Sequence, residues 1–196
     1  VSTARNVVVN ASRTVSVVDG DLSLFANRLI TETTGFAGLG LGLSGEVLSS
    51  GKGKILLSGR GGAAAGVYGV NISGAVRSTS EADDAGTITI LGTGGKTTGA
   101  ANYNAGLVVS GASARVESAR GSILLDGDSS SEASSGLYHF GVWVTAGAKI
   151  RSTGLLPVDV AIFGKGGFGT VTSTGNTSPG VWVSLAGSEI SSSGSI

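Results

Sequence analysis

A parallel β-solenoid is the fold class that the chain predicts, and three observations predict it. One phrase recurs along the chain, apolar and small polar residues alternate with a period of two, and glycine is heavily over-used. There are 35 glycines in 196 residues, against a usual share of roughly 7%.

The repeats set the organisation. "GLGLSGEVLSS" begins at Gly40, "GVNISGAVRS" at Gly69, "GLVVSGASARVES" at Gly106, "GVWVTAGAKIRS" at Gly141 and "GVWVSLAGSEISS" at Gly180. Successive starts lie 29, 37, 35 and 39 residues apart, and a degenerate copy, "NVVVNASRTVSV", starts at Asn6. Each phrase leads to a second one: "GDLSL" (Gly20), "GKILLSG" (Gly53), "GTITILG" (Gly86), "GSILLDG" (Gly121) and "VDVAIFG" (Val158). A stretch rich in Gly, Ser, Thr and Ala then returns to the next copy.

Each unit therefore reads as three short strands and one longer loop. Helix is not expected, because glycines interrupt every candidate window and each costs about 1 kcal/mol relative to Ala in a helix. One unit cannot bury its apolar face alone, but a stack of units can. Residues 1–196 read as one all-β domain, a single-stranded parallel β-helix with three short strands per coil and about five to six coils. Glycine at the corners is expected to supply positive φ for tight bends.

Alternation assigns the faces of the strands. In the first strand Leu41/Leu43, Val70/Ile72, Leu107/Val109, Val142/Val144 and Val181/Val183 point inward, forming aliphatic columns. The residue between each pair faces out: Gly42, Asn71, Val108, Trp143 and Trp182. In the second strand Val47, Val76, Val116, Ile150 and Ile190 point inward. The outward column there is Leu48, Arg77, Glu117, Arg151 and Ser191, either a ladder of alternating sign or independently solvated charges. The third strand carries Leu22/Leu24, Ile55/Leu57, Ile88/Ile90, Ile123/Leu125 and Val160/Ile162.

Composition narrows the functions. Thirteen basic and thirteen acidic side chains balance, so no field of one sign attracts nucleic acid or an anionic membrane. No cysteine is present, which excludes disulfides, a thiolate nucleophile and cysteine-based metal sites. No run of about 18 apolar residues suits membrane insertion. With no methionine, the chain is expected to be a processed product or a piece of a longer one.

The repeat phrases and their Gly/Thr-rich returns resemble those of filamentous-haemagglutinin-like bacterial surface proteins. That resemblance spans nearly all of residues 6–196. It implies a right-handed β-helical shaft, secreted to the extracellular face of a bacterial cell and supporting adhesion.

Candidates for chemistry are few. The single histidine, His139 in "LYHFGVWV", fits a surface or packing role better than catalysis. Paired acids occur at Asp83 and Asp84 and in two "DGD" turns, Asp19–Asp21 and Asp126–Asp128. Asp126 and Asp128 are weak Ca²⁺ candidates beside ordinary turn chemistry. "GRGG" and "GTGG" lack the lysine and helix of a phosphate loop. No catalytic residue, cofactor or enzymatic activity is expected.

Three functional classes remain. The first is a structural shaft or filament subunit stacking head to tail on copies of itself. The second binds cell-surface glycans through exposed aromatics. The third, ice binding, is weak, because "TIT" (Thr87–Thr89) and "TVTST" (Thr170–Thr174) build no repeated threonine rank. Neither end of the chain shows a polar cap, which favours stacking. Trp143 and Trp182, the only tryptophans, mark the possible interaction surface. A return loop covers them, a neighbour packs on them, or a sugar stacks on them; Tyr138, Phe140 and Phe168 are the aromatics expected nearby.

Overall fold

Eighteen short strands, numbered in chain order, fall into three parallel sheets of six in a computed structural model that describes residues 1–27, 37–64, 66–95, 102–129, 138–167 and 178–196. The first strands of the coils are β2 (Val7–Val9), β5 (Leu41–Leu43), β8 (Tyr68–Ile72), β11 (Ala105–Ser110), β14 (Phe140–Thr145) and β17 (Val181–Val183). The second strands are β3 (Thr14–Val17), β6 (Glu46–Ser49), β9 (Ala75–Ser78), β12 (Arg115–Ser118), β15 (Lys149–Ser152) and β18 (Glu189–Ser191). The third sheet holds β1 (Ser2–Thr3), β4 (Leu22–Ala26), β7 (Ile55–Arg60), β10 (Ile88–Thr93), β13 (Ile123–Asp128) and β16 (Val160–Lys165). Each strand pairs with its counterpart one coil away, which makes a parallel β-helix of six coils. At about 4.8 Å per coil the stack is about 29 Å tall.

Register converts the repeats into columns. Leu41, Val70, Leu107 and Val142 align, as do Leu43, Ile72, Val109 and Val144, and all are buried. Val47, Val76, Val116 and Ile150 line the second sheet, and Leu57, Ile90 and Leu125 the third. These side chains form one aliphatic core along the axis. Burying each contributes about 1.5–3 kcal/mol. In the sixth coil the columns reach the surface: Val181 and Val183 are 39% and 43% exposed.

The corner glycines work differently from the expectation of positive φ. Among the described glycines only Gly66, Gly111, Gly147 and Gly187 have positive φ. The repeat glycines instead permit close approach. A Cβ on Gly92 would collide with the carbonyl oxygen of Gly106, and one on Gly127 with that of Gly141. At this corner the third strand of one coil crosses the first strand of the next at backbone contact. The corner after the second strand is fastened by buried serines. Ser49 Oγ donates to Gly53 O (2.6 Å) and Ser78 Oγ to Gly86 O (2.9 Å).

"GRGG" and "GTGG" belong to the same packing: Gly59 and Gly92 lie in strands, and a Cβ on Gly95 would strike the Gly62 carbonyl. The described residues contain no helix, and so none long and apolar enough to cross a membrane.

Candidate functional site

Outside the solenoid core, the outer face of the first sheet carries a second apolar cluster. Its spine is the register column Val8, Gly42, Asn71, Val108, Trp143 and Trp182. Val8 is exposed and Gly42 is overlaid by Leu39, whereas Val108 is buried despite facing outward. What buries Val108 is an aromatic group: Phe140 is fully covered, and Tyr68, Tyr138, Trp143 and Trp182 pack around it half-buried.

The rings stack along the helix axis. Trp143 and Trp182 have centroids 5.7 Å apart and planes within 11°. Phe140 lies tilted against both, at 4.9 and 4.6 Å. Tyr103 and Tyr138 form a second stack at 4.9 Å and 14°, and Tyr103 also lies 6.5 Å from Trp143. Such offset stacks contribute about 0.5–1.5 kcal/mol per pair beyond burial. Trp143 Nε1 donates to Ser184 Oγ (2.9 Å), and Ser184 Oγ donates to Thr145 Oγ1 (3.0 Å). Burial, with a smaller contribution from the neighbouring Tyr103 phenol, raises the Tyr68 pKa above its ordinary value near 10.

Two tyrosines hold costly backbone. Tyr103 (φ 64°) and Tyr138 (φ 67°) are left-handed, each three residues before a repeat glycine, where the preceding coil has Gly66 (φ 66°). For a bulky side chain this costs on the order of 1–3 kcal/mol. The stack between the two rings offsets part of it. Behind them Asn104 is buried, its Oδ1 accepting from Val67 N (3.1 Å) and its Nδ2 donating to Gly95 O (3.3 Å). His139 is buried one residue before Phe140, a packing position.

The sequence singled out Trp143, Trp182, Tyr138 and Phe140, and the fold brings them together. Phe168 and Thr170–Thr174 lie outside the described residues. Tyr68 and Tyr103 were missed as cluster members. Their signal was positional: Tyr103 and Tyr138 stand the same distance before Gly106 and Gly141, and Tyr68 shares the register of Ala105 and Phe140.

The second sheet carries the charge ladder. Arg77, Glu117 and Arg151 are adjacent in register, and Glu117 is nearly buried between them. Arg151 reaches Glu117 at 2.8 Å, and Arg77 reaches it at 3.5 Å in ion-pair rather than hydrogen-bond geometry. Arg77 also pairs with Glu46 (3.2 Å), and Lys149 with Glu189 (2.9 Å). Hydrogen bonds from Ser191 and then Lys149 lower the Glu189 pKa below the ordinary carboxylate range.

Asp126 and Asp128 do not form a turn. They flank Gly127 within β13, because "DGD" here continues the third strand to the glycine crossing. Asp126 is exposed, and Asp128 lies 3.9 Å from Lys165. No group of three or more His, Asp or Glu side chains suited to a metal occurs among the described residues. Asp19 and Asp21 do sit in a bend, accepting from Lys52 N (3.2 Å) and Lys54 N (2.9 Å) of the next coil. Asp83 pairs with Arg120 (2.6 Å). Thr89 shares its column with Ser23, Leu56, Leu124 and Ala161, which is no threonine rank.

No known protein family, curated protein or solved structure matches the chain. The likeness to haemagglutinin-like shafts therefore rests on the repeat phrases alone. The geometry of the aromatic face favours cohesion: Trp143 stacks on Trp182 and Tyr103 on Tyr138, so these rings give a face to one another, whereas a sugar stacks on an open face.

Proposed function

We propose that this chain is a structural β-helix shaft of a bacterial cell surface, a segment or subunit of an extracellular filament that elongates head to tail and supports adhesion. The observation that carries this reading is the sameness of the interface between coils. Every strand pairing is parallel and coil-to-coil, and the aliphatic columns run in register from coil to coil. An interface that matches itself extends by addition of another copy, since a heterologous contact of this kind does not close. Electron microscopy of the purified chain tests it. Filaments with an axial repeat near one stack height, about 29 Å, are expected. Isolated short rods at all concentrations overturn head-to-tail growth.

A glycan-binding role for the aromatic face is the second reading. One observation favours it: Tyr103, at the head of the aromatic strip, is 44% exposed. Glycan binding abolished by Tyr103→Ala with the fold intact would support it over the shaft alone.

A further inference from the structure

We propose a binding notch for an acidic sugar on the corner between the first and second sheets, a site beyond the shaft reading and independent of the aromatic face. The notch exists because the turns at this corner differ in length. Register places residues 44–45 and 73–74 opposite the longer turns 10–13 and 111–114 of the flanking coils. Two short turns recede between two long ones. The recess left behind measures about 410 Å³, within the usual range of ligand sites.

Its floor and walls are polar. Ser44 and Ser73 lie on the floor, joined by a hydrogen bond between their hydroxyls (3.1 Å), and Ser12 and Ser113 stand on the two walls. Hydroxyls both donate and accept, which suits a polyol. No aromatic or large aliphatic side chain lines the recess, so neither a nucleobase nor an acyl chain finds a partner there.

An arginine lines each end: Arg13 on the first coil and Arg115 on the fourth. Arg13 makes no ion pair among the described residues. Arg115 Nε lies 3.7 Å from a Glu117 carboxylate oxygen, without a hydrogen bond. Glu117 is already held by Arg151 and Arg77, and Glu46, the one carboxylate of the recess, by Arg77. Three guanidiniums (Arg77, Arg115, Arg151) thus face two carboxylates (Glu46, Glu117), leaving one positive charge over, and Arg13 adds a second. In a chain of zero net charge this local excess selects an anion. Guanidinium binds carboxylate in paired hydrogen bonds. Three coil spacings, about 14 Å, separate the two arginines, so the ligand is an extended oligosaccharide rather than a single small anion.

Isothermal titration with trigalacturonate, its neutral methyl ester and a sulfated disaccharide tests the site. The acidic trimer is expected to bind, more weakly as salt rises, and its ester is not. Arg13→Gln and Arg115→Gln should each weaken binding about tenfold or more, about the loss of one charged hydrogen-bonding contact, with unchanged melting. Lys52→Gln, a cation on another corner, should change nothing. Sulfated-sugar binding lost in the same arginine variants supports the notch and assigns sulfate as its anion. Absence of binding at millimolar sugar, equal binding of the ester, or equal loss in Lys52→Gln overturns it.

Discussion

Trp143 sits where three kinds of contact meet. Its ring stacks on Trp182, leans on Phe140 and lies within reach of Tyr103, and its indole N–H is satisfied by Ser184 of the next coil. Trp182 has only the mutual stack and the contact with Phe140 among these. Removing the first tryptophan therefore strips more from the cluster than removing the second. Full burial would put a Trp→Ala loss at about 3–5 kcal/mol; half-burial brings Trp143→Ala to about 2 kcal/mol and Trp182→Ala to less. Because the rings touch, the double variant should deviate from additivity by about 0.5–1.5 kcal/mol. Urea unfolding followed by far-ultraviolet circular dichroism measures all three. Strict additivity, or no loss in either single variant, would remove the cohesive role and return the tryptophans to an external partner.

At the level of the element, the corner between third and first strands is set by backbone meeting backbone. A methyl group on Gly92 has no room, because the Gly106 carbonyl occupies its place and belongs to a strand, not to a side chain that can swing away. Gly92→Ala should cost about 1–3 kcal/mol or more, as overpacking does. Gly20 is the control: nothing lies within 4 Å of its Cβ position and its φ is not left-handed. Gly20→Ala should be neutral or stabilise by about 0.4–1 kcal/mol through the unfolded chain. Equal losses in the two melts would refute the close-approach account. The same elements show what was legible beforehand. Strand order, inward columns and the Trp column followed from period and repeat, because a parallel stack maps sequence register directly onto space. The reason for the glycines did not, since a crossing of two backbones from different coils leaves no local mark in either. The Asp126–Asp128 strand was mistaken for a turn for the same reason: its glycine marks a crossing. The notch escaped because it depends on differences in turn length between coils, each unremarkable alone. Glu117 at the centre of three arginines was half legible. The column order showed Arg77 and Arg151, but Arg115 lies two residues from Glu117 on its own strand.

Across the whole molecule, each coil touches mainly its neighbours, so stability behaves as a sum of coils and interfaces. Core damage in the middle should spread both ways, whereas damage on the last coil should stay local. Val144 and Val183 occupy the same register position in successive coils, yet Val144 is fully buried and Val183 is 43% exposed. Val144→Asp places a carboxylate without a partner among aliphatic columns, a cost far above the 1.5–3 kcal/mol of the lost burial, about which the chain has little reserve. Hydrogen exchange should then show lost protection in the fourth, fifth and sixth coils together. Val183→Asp faces water on one side and should leave the first five coils protected. Its effect belongs to association instead. If copies stack through the inward columns, an aspartate at the mating face meets apolar residues of the next copy and filaments should disappear, with monomer melting almost unchanged. Val183→Asp that still forms filaments of the same repeat would show that growth uses another surface. Val144→Asp that remains soluble with a single cooperative melt would overturn the inward assignment itself.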